Sequence, residues 1–360
     1  MNEVLLEQFR LYPESQLQDF LKLVYQNEFG CGHLLNDTAR SFSVLKNEYH
    51  TINKEDFSDP VENIGEEFAR VHLRVLQQTG LTIETLHRIF ALSAQKETGS
   101  QESFLKKVEI VRNLCAMGKL PFSVEEVEAR INEWKNKPLV PFRHSEHFRQ
   151  TYHPAYRVIE KKYADILPLL AQIDTLMQNQ KSVVLSIDGD CGSGKSTLAE
   201  VLRQIYDCSI IRIDDFFLRK EQRTPERVAE IGGNIDYERF SDEVLSQLRM
   251  QNSFAYRPYN CMVQKLDEPI LIASKRLMIV EGSYSQHPLF DGFYDLKVFL
   301  SIPSKIQHAR ILERNGAQMY EKFEKIWIPM EKRYFEHFQI REKSDLQFEF
   351  LSGTEENSLK

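Results

Sequence analysis

The run Gly189-Asp190-Cys191-Gly192-Ser193-Gly194-Lys195-Ser196, with Thr197 behind it, carries the most specific chemistry in the chain. It fits Gly-x4-Gly-Lys-Ser, and each fixed position has a physical task. The glycines permit positive φ and let backbone N–H groups approach an anion with no Cβ in the way. A helix start behind them adds unpaired N–H groups and a positive dipole end. Lys195 can reach the β- and γ-phosphates of ATP, and the Ser196 hydroxyl can ligate Mg²⁺. The pattern predicts that Gly189 to Thr197 cradle a nucleotide. Cys191 inside the loop reads as a small filler or as a redox-sensitive thiol, depending on exposure.

Two acidic positions fall where such a loop needs them. An apolar run at 183–187 precedes the loop, and Leu198, Val201, Leu202 and Ile205 follow it at helical spacing, so the order is strand, loop, helix. A β-branched run at 208–213 leads into Asp214 and Asp215, and 276–281 ends in Glu281. Further strands are expected at 295–302 and 345–350, with helical stretches between most of them. Strands alternating with helices predict an α/β domain whose parallel sheet binds its ligand at the C-terminal strand ends. One carboxylate there would read as a helix cap. Two, beside a phosphate loop, read as magnesium ligands and as a base for an attacking hydroxyl.

These residues resemble a family. Asp214-Asp-Phe-Phe is similar to the Asp-x-Phe-Tyr/Leu motif of the uridine kinase, phosphoribulokinase and pantothenate kinase group, and Val280-Glu281-Gly282 to the Glu-Gly of uridine kinases. The resemblance spans about 181–350. It implies a P-loop NTPase sheet of order 2-3-1-4-5, with Asp214 as general base and Ser196, Asp214 and Glu281 around Mg²⁺. It also implies a lid in which Arg310 or Arg314 closes on the phosphates. Positive charge there suits a transition state that spreads charge over the transferred group. The family's Arg-Asp pairing in the lid is not reproduced.

The stretch between the second and third strands is where the resemblance places the acceptor, a nucleoside- or sugar-like small molecule with a hydroxyl. Asn234-Ile-Asp236 is similar to the Asn-Phe-Asp of uridine kinases and Pro258-Tyr259-Asn260 to their Pro-x-Tyr-Asp. Arg223, Asp236, Tyr237, Arg257 and Tyr259 are the expected contacts. Asn260 stands where uridine kinases have an acid, and no His follows among Met262 to Leu266. Together with Arg223, Arg227, Arg239 and Arg257, these departures leave open an acceptor with an anionic group. A nucleotide-dependent switch is the alternative to a kinase, but it has no need of the Arg- and Tyr-rich segment.

Residues 1–150 carry helical spacing, as in Leu17, Phe20, Leu21 and Val24 or Val124, Val127, Ile131 and Trp134. Ser123 with Glu126 forms a capping box. An all-α domain is expected there, then a connecting helix at 151–180, with a kink at Pro168, and the P-loop domain at 181–360. Glu28, His33, His72 and Arg74 could form a polar site of their own, or be solvated residues at helix junctions. Their spacing matches no zinc pattern.

With 360 residues there is length for two domains; 42% hydrophobic and 28% charged residues are ordinary for a folded soluble protein. A net charge of −7 argues against nucleic acid as a main partner. The start, Met-Asn-Glu-Val-Leu-Leu-Glu, shows no secretory pattern, and no apolar run has membrane-spanning length. Five scattered cysteines agree with a reducing, cytoplasmic setting. A homo-oligomer stays open.

Overall fold

The computed structural model describes residues 1–35, 37–52, 59–96, 98–135, 137, 139–250 and 252–349. It divides into two compact units, Met1–Gln172 and Ile173–Thr354. The N-terminal unit is built mainly from helices, among them Leu17–Phe29, Ile83–Ala94, Gln101–Ala116 and Val124–Lys135. Their expected faces are its core: Phe20, Leu21, Val24, Leu86, Phe90, Val108, Val111, Val127, Ile131 and Trp134 are all buried. The capping box forms as read, with Glu126 N–H on Ser123 Oγ at 3.1 Å and Ser123 N–H on the Glu126 carboxylate at 3.3 Å.

This unit departs from the all-α expectation in one respect. Strands β1 (Val61–Asn63), β2 (Phe68–His72) and β3 (Tyr156–Glu160) make an antiparallel sheet in that order, with Arg70 opposite both Glu62 and Val158. Strands of three to five residues are too short to display alternation, and β2 is buried along nearly its whole length. The same sheet corrects the expected connecting helix at 151–180, since β3 lies within that stretch. A helix, Leu167–Asn179, follows it. Pro168 falls in the first turn of that helix, where its missing N–H costs nothing and no kink is required.

In the C-terminal unit, β4 (Val183–Gly189), β5 (Cys208–Arg212), β6 (Leu277–Glu281), β7 (Leu296–Ser301) and β8 (Leu346–Glu349) form one parallel sheet. Across the sheet the strands run β5-β6-β4-β7-β8. Counted from the first strand of the unit this is 2-3-1-4-5, the expected order. The central strands are buried on both faces, as parallel strands between helices must be. Phe350, the expected end of the fifth strand, lies outside the described residues. Helix α1 (Lys195–Ile205) leaves the loop after β4 and buries Leu198, Val201, Leu202 and Ile205. Helix α2 (Ser304–Lys322) is broken at Gly316, whose φ of 74° and ψ of 167° interrupt it, and α3 (Ile328–Phe338) follows. Register decides what meets at the sheet edge: Glu281 pairs with Ile187 of β4 and with Arg212 of β5. The residues just beyond, Gly189, Asp214 and Gly282, are thereby brought level.

Among the described residues no helix is long and apolar enough to cross a membrane.

Candidate functional site

β4 can end in its loop because Gly189 has no side chain. Its φ is 137°, and a Cβ would stand 2.0 Å from the Leu300 carbonyl oxygen. Asp188, just before it, is fully buried and fastens the loop to its surroundings. Its carboxylate accepts hydrogen bonds from the N–H groups of Gly189 (2.7 Å), Tyr284 (3.2 Å) and Gln286 (2.9 Å) and from the Tyr334 hydroxyl (2.9 Å). Burial still outweighs these donors and pushes its carboxyl up to about 6.

Within the loop, side chains expected near phosphate serve in part as fasteners. The Asp190 carboxylate accepts the Ile302 N–H at 3.1 Å. The Cys191 carbonyl accepts from Gln307 Nε2 at 2.9 Å, and burial raises the Cys191 thiol far above its ordinary value. That decides for the filler and against a redox-sensitive thiolate. Lys195 arcs back over the loop, its Nζ donating to the carbonyls of Gly189 (2.7 Å) and Asp190 (2.9 Å) and to Ser283 Oγ (3.2 Å). Ser193 is buried, and Thr197 is half-buried in the first turn of α1.

The two expected acids converge beyond the start of α1. Ser196 Oγ donates to Glu281 Oε1 at 2.9 Å, and Arg212 Nε stands 3.5 Å from the same oxygen. Burial raises Glu281, opposed by the charge of Lys195. Asp214 lies against the backbone of Gly282, where a Cβ would stand 3.2 Å from its Oδ1. It is open to solvent yet crowded by protein, and this crowding, with the negative charge of Glu281, brings its carboxyl to about 7. It accepts no hydrogen bond from the described residues. Its neighbour Asp215 is committed to structure: its carboxylate takes the Tyr256 hydroxyl at 2.7 Å and its carbonyl takes Arg239 Nη2 at 2.8 Å.

One functional candidate was not read from the sequence. Glu331 of α3 is buried under the loop, its Oε2 accepting the Cys191 N–H at 3.0 Å and its Oε1 the Ser283 hydroxyl at 2.7 Å. Ser283 thus bridges Lys195 and Glu331. The available signal was a glutamate on the same helical face as Ile328, Tyr334 and Phe335, all of them buried.

The two lid arginines separate. Arg310 Nη1 donates to the Gly192 carbonyl at 3.0 Å, whereas Arg314 is exposed and its Nε bonds to the adjacent Asn315 at 2.9 Å. The expected acceptor contacts separate as well. Asp236 caps the turn after it through the Arg239 N–H at 3.1 Å and takes Gln222 Nε2 at 2.8 Å. The Tyr237 hydroxyl donates to the Gly232 carbonyl at 2.6 Å. Arg257 donates to the carbonyls of Asp267 (2.8 Å) and Leu266 (2.9 Å) and so closes a small hairpin. Arg223 and Tyr259 have no such commitment to a carboxylate or a turn.

In the N-terminal unit, Glu28 accepts from the Ser100 N–H (2.9 Å) and Ser103 Oγ (3.0 Å) and pairs with Lys107 at 2.6 Å. His72 instead faces Glu62 at 3.4 Å. These partners are separate, and His33 packs edge-on to the Tyr25 ring.

No family model matches the chain. A protein of Schizosaccharomyces pombe named "putative uridine kinase" is 25% identical over 162 residues, covering 39% of this chain and 69% of its own length. The chain groups with the P-loop kinases of the uridine kinase type over about half its length. Among solved structures, one titled "possible uridine kinase", from Bacillus stearothermophilus, is 20% identical. The match covers 51% of this chain and all of that one, with a TM-score of 0.36. D-glycerate 3-kinase from Cryptococcus neoformans is 13% identical, covering 42% of this chain and 78% of its own, with a TM-score of 0.32. The uridine kinase likeness falls on the C-terminal unit, where the loop, the acids and the strand order lie.

Proposed function

We propose that the C-terminal unit transfers the γ-phosphoryl group of ATP to a hydroxyl of a small molecule, a nucleoside- or sugar-like acceptor. The observation that carries this reading is the Ser196–Glu281 hydrogen bond at 2.9 Å beside an Asp214 that has no protein donor. Ser196, Glu281 and Asp214 suit Mg²⁺. They are hard oxygen donors, and both carboxyls are raised by burial and by like charge, a surplus that a dication relieves. When bound, that ion would neutralise charge on the β- and γ-phosphates.

The chain's own groups then divide the work. Amides of the loop hold phosphate oxygens, and Lys195 moves from its carbonyl partners to the phosphates. Arg310, at the loop already, adds positive charge where the transferred group develops it, while Arg314 contributes to the lid's outer face. Asp214 accepts the proton of the attacking hydroxyl. A carboxyl near 7 is poised for this task, since it is a stronger base than an ordinary carboxylate yet is largely ionised just above neutrality. A nucleotide switch would have no use for such a base.

The test is to incubate the protein with ATP, Mg²⁺ and pooled hydroxyl-bearing metabolites, and to search for a phosphorylated product by mass spectrometry. Asp214→Asn is expected to keep ATP binding and to lower turnover by about 10²- to 10⁴-fold. ATP consumed only by slow hydrolysis, at a rate indifferent to Asp214→Asn, would sink the reading.

A further inference from the structure

Five arginines lie in the connection between β5 and β6, and the structure accounts for four. Arg219 faces Asp236 at 3.7 Å, and Arg227 is held by Glu230 and Glu238 at 3.2 and 3.0 Å. Arg239 lies over the Phe216 ring, 3.5 Å from Glu243, and Arg257 is spent on hairpin carbonyls. Arg223 differs. Its Nε donates to the Leu218 carbonyl at 3.0 Å, its guanidinium is exposed, and among the described residues it has no carboxylate partner.

Its surroundings point to the reaction centre. The guanidinium stands 5.9 Å from the centre of the Tyr259 ring and hydrogen-bonds the Cys261 thiol, and that thiol also feels the charge of Asp214. A cation and the candidate base therefore border the same small space. A second observation is independent of the first: Tyr259 is 5% exposed, and its hydroxyl has no hydrogen-bond partner among the described residues. Buried hydroxyls are nearly always partnered, so an orphan at a ligand site marks a donor kept for the ligand. Nothing beside it suits a neutral base: Asn260 accepts the N–H groups of Met262 and Val263 and closes its own turn.

We propose that the acceptor carries a carboxylate or phosphate monoester next to the hydroxyl it presents to Asp214, and that Arg223 and the Tyr259 hydroxyl bind that group. This rests on the kinase reading above and narrows it. A guanidinium offers two parallel N–H donors that match either anion, which no neutral sugar or nucleoside exploits.

The experiment uses the full chain with ATP and Mg²⁺ and three arms: hydroxycarboxylates such as glycerate, pentose and hexose phosphates, and their neutral counterparts glycerol, free sugars and uridine. Phosphorylation of at least one anionic arm, with its neutral counterpart weaker by about 10-fold or more, is expected, and the responding arm tells carboxylate from phosphate. Arg223→Gln should raise KM for that acceptor by roughly 10- to 100-fold, the worth of a charge-assisted contact, with much less change in kcat. Arg223→Lys should recover part of the loss. Tyr259→Phe gives up no internal hydrogen bond, so its melting temperature should match the wild type while KM rises. Turnover of neutral acceptors equal to that of anionic ones, or KM unmoved in Arg223→Gln and Tyr259→Phe, overturns the proposal and leaves the kinase reading intact. No product in any arm defeats both.

Discussion

Arg70 is a charged residue with no exposed surface, and replacing it tests whether the polar cluster of the N-terminal unit is a structural core or a ligand site. Its guanidinium meets Glu62 at 2.6 Å, donates to Gln26 Oε1 at 2.9 and 2.7 Å and to Gln8 Oε1 at 2.9 Å, and lies 4.9 Å from the centre of the Tyr156 ring. Burial acts to raise Glu62, yet Arg70 and His72 overcome it and hold the carboxyl down from 4.5 to about 2. By linkage this depression corresponds to about 3 kcal/mol of stability at neutral pH. Removing one partner of a buried pair costs ~3–5 kcal/mol by general experience, so two routes agree. Arg70→Met additionally strips the donors from two glutamine oxygens, while protonation of the abandoned Glu62 caps the loss.

The expected destabilisation is therefore ~3–5 kcal/mol. It should be measured by urea unfolding of the full chain, with hydrogen exchange followed in peptides from 61–72 and 156–160, because two units need not unfold together. Adding Glu62→Gln should cost far less than the sum of the two single changes, with a coupling of about 2 kcal/mol or more. The sign in pH is set by the lowered carboxyl: its contribution is present above about 4.5 and is lost as pH falls through about 2. The gap between wild type and Arg70→Met should accordingly close on acidification across that window. A loss below about 1 kcal/mol, or a double mutant equal to the sum, would refute the structural reading and turn attention to a bound anion.

Two further outcomes concern the C-terminal unit. Gly282→Ala should lower turnover by roughly 100-fold with ATP affinity largely kept, because its Cβ would meet Ile213 Cγ2 at 2.5 Å and Asp214 Oδ1 at 3.2 Å and so displace the base; steady-state kinetics with calorimetry of ATP binding separates the two effects. Glu331→Gln should tighten ATP binding. The amide can keep the Cys191 N–H while Ser283 turns its proton to the Gly189 carbonyl 3.1 Å away, and a buried like charge about 10 Å from the phosphates costs on the order of 1–2 kcal/mol. Weaker binding in Glu331→Gln would mean that the charge itself shapes the loop.

What could be read from the chain follows from how local each requirement is. The phosphate loop is legible because backbone geometry dictates its residues one by one: at Gly189 a neighbouring carbonyl 2.0 Å from any Cβ leaves no alternative. Asp214 and Glu281 were legible for the same reason, since a strand end fixes where a carboxylate points and the ladder brings Glu281 level with Arg212. Glu331 was not, because its partners lie 140 and 48 residues away in sequence and only the packing of α3 selects it from a charged helix. The N-terminal sheet was hidden by a related cause. Arg70 reads as a surface residue until Glu62, eight positions earlier, and Gln26, 44 earlier, are known to enclose it. Arg310 and Arg314 share one helical face, so spacing could not rank them. The ranking came from a single contact, Arg310 on the Gly192 carbonyl, which depends on how α2 is set against the loop. Chemistry carried by the backbone was therefore visible in the sequence, whereas chemistry carried by a side chain from a distant helix required the fold.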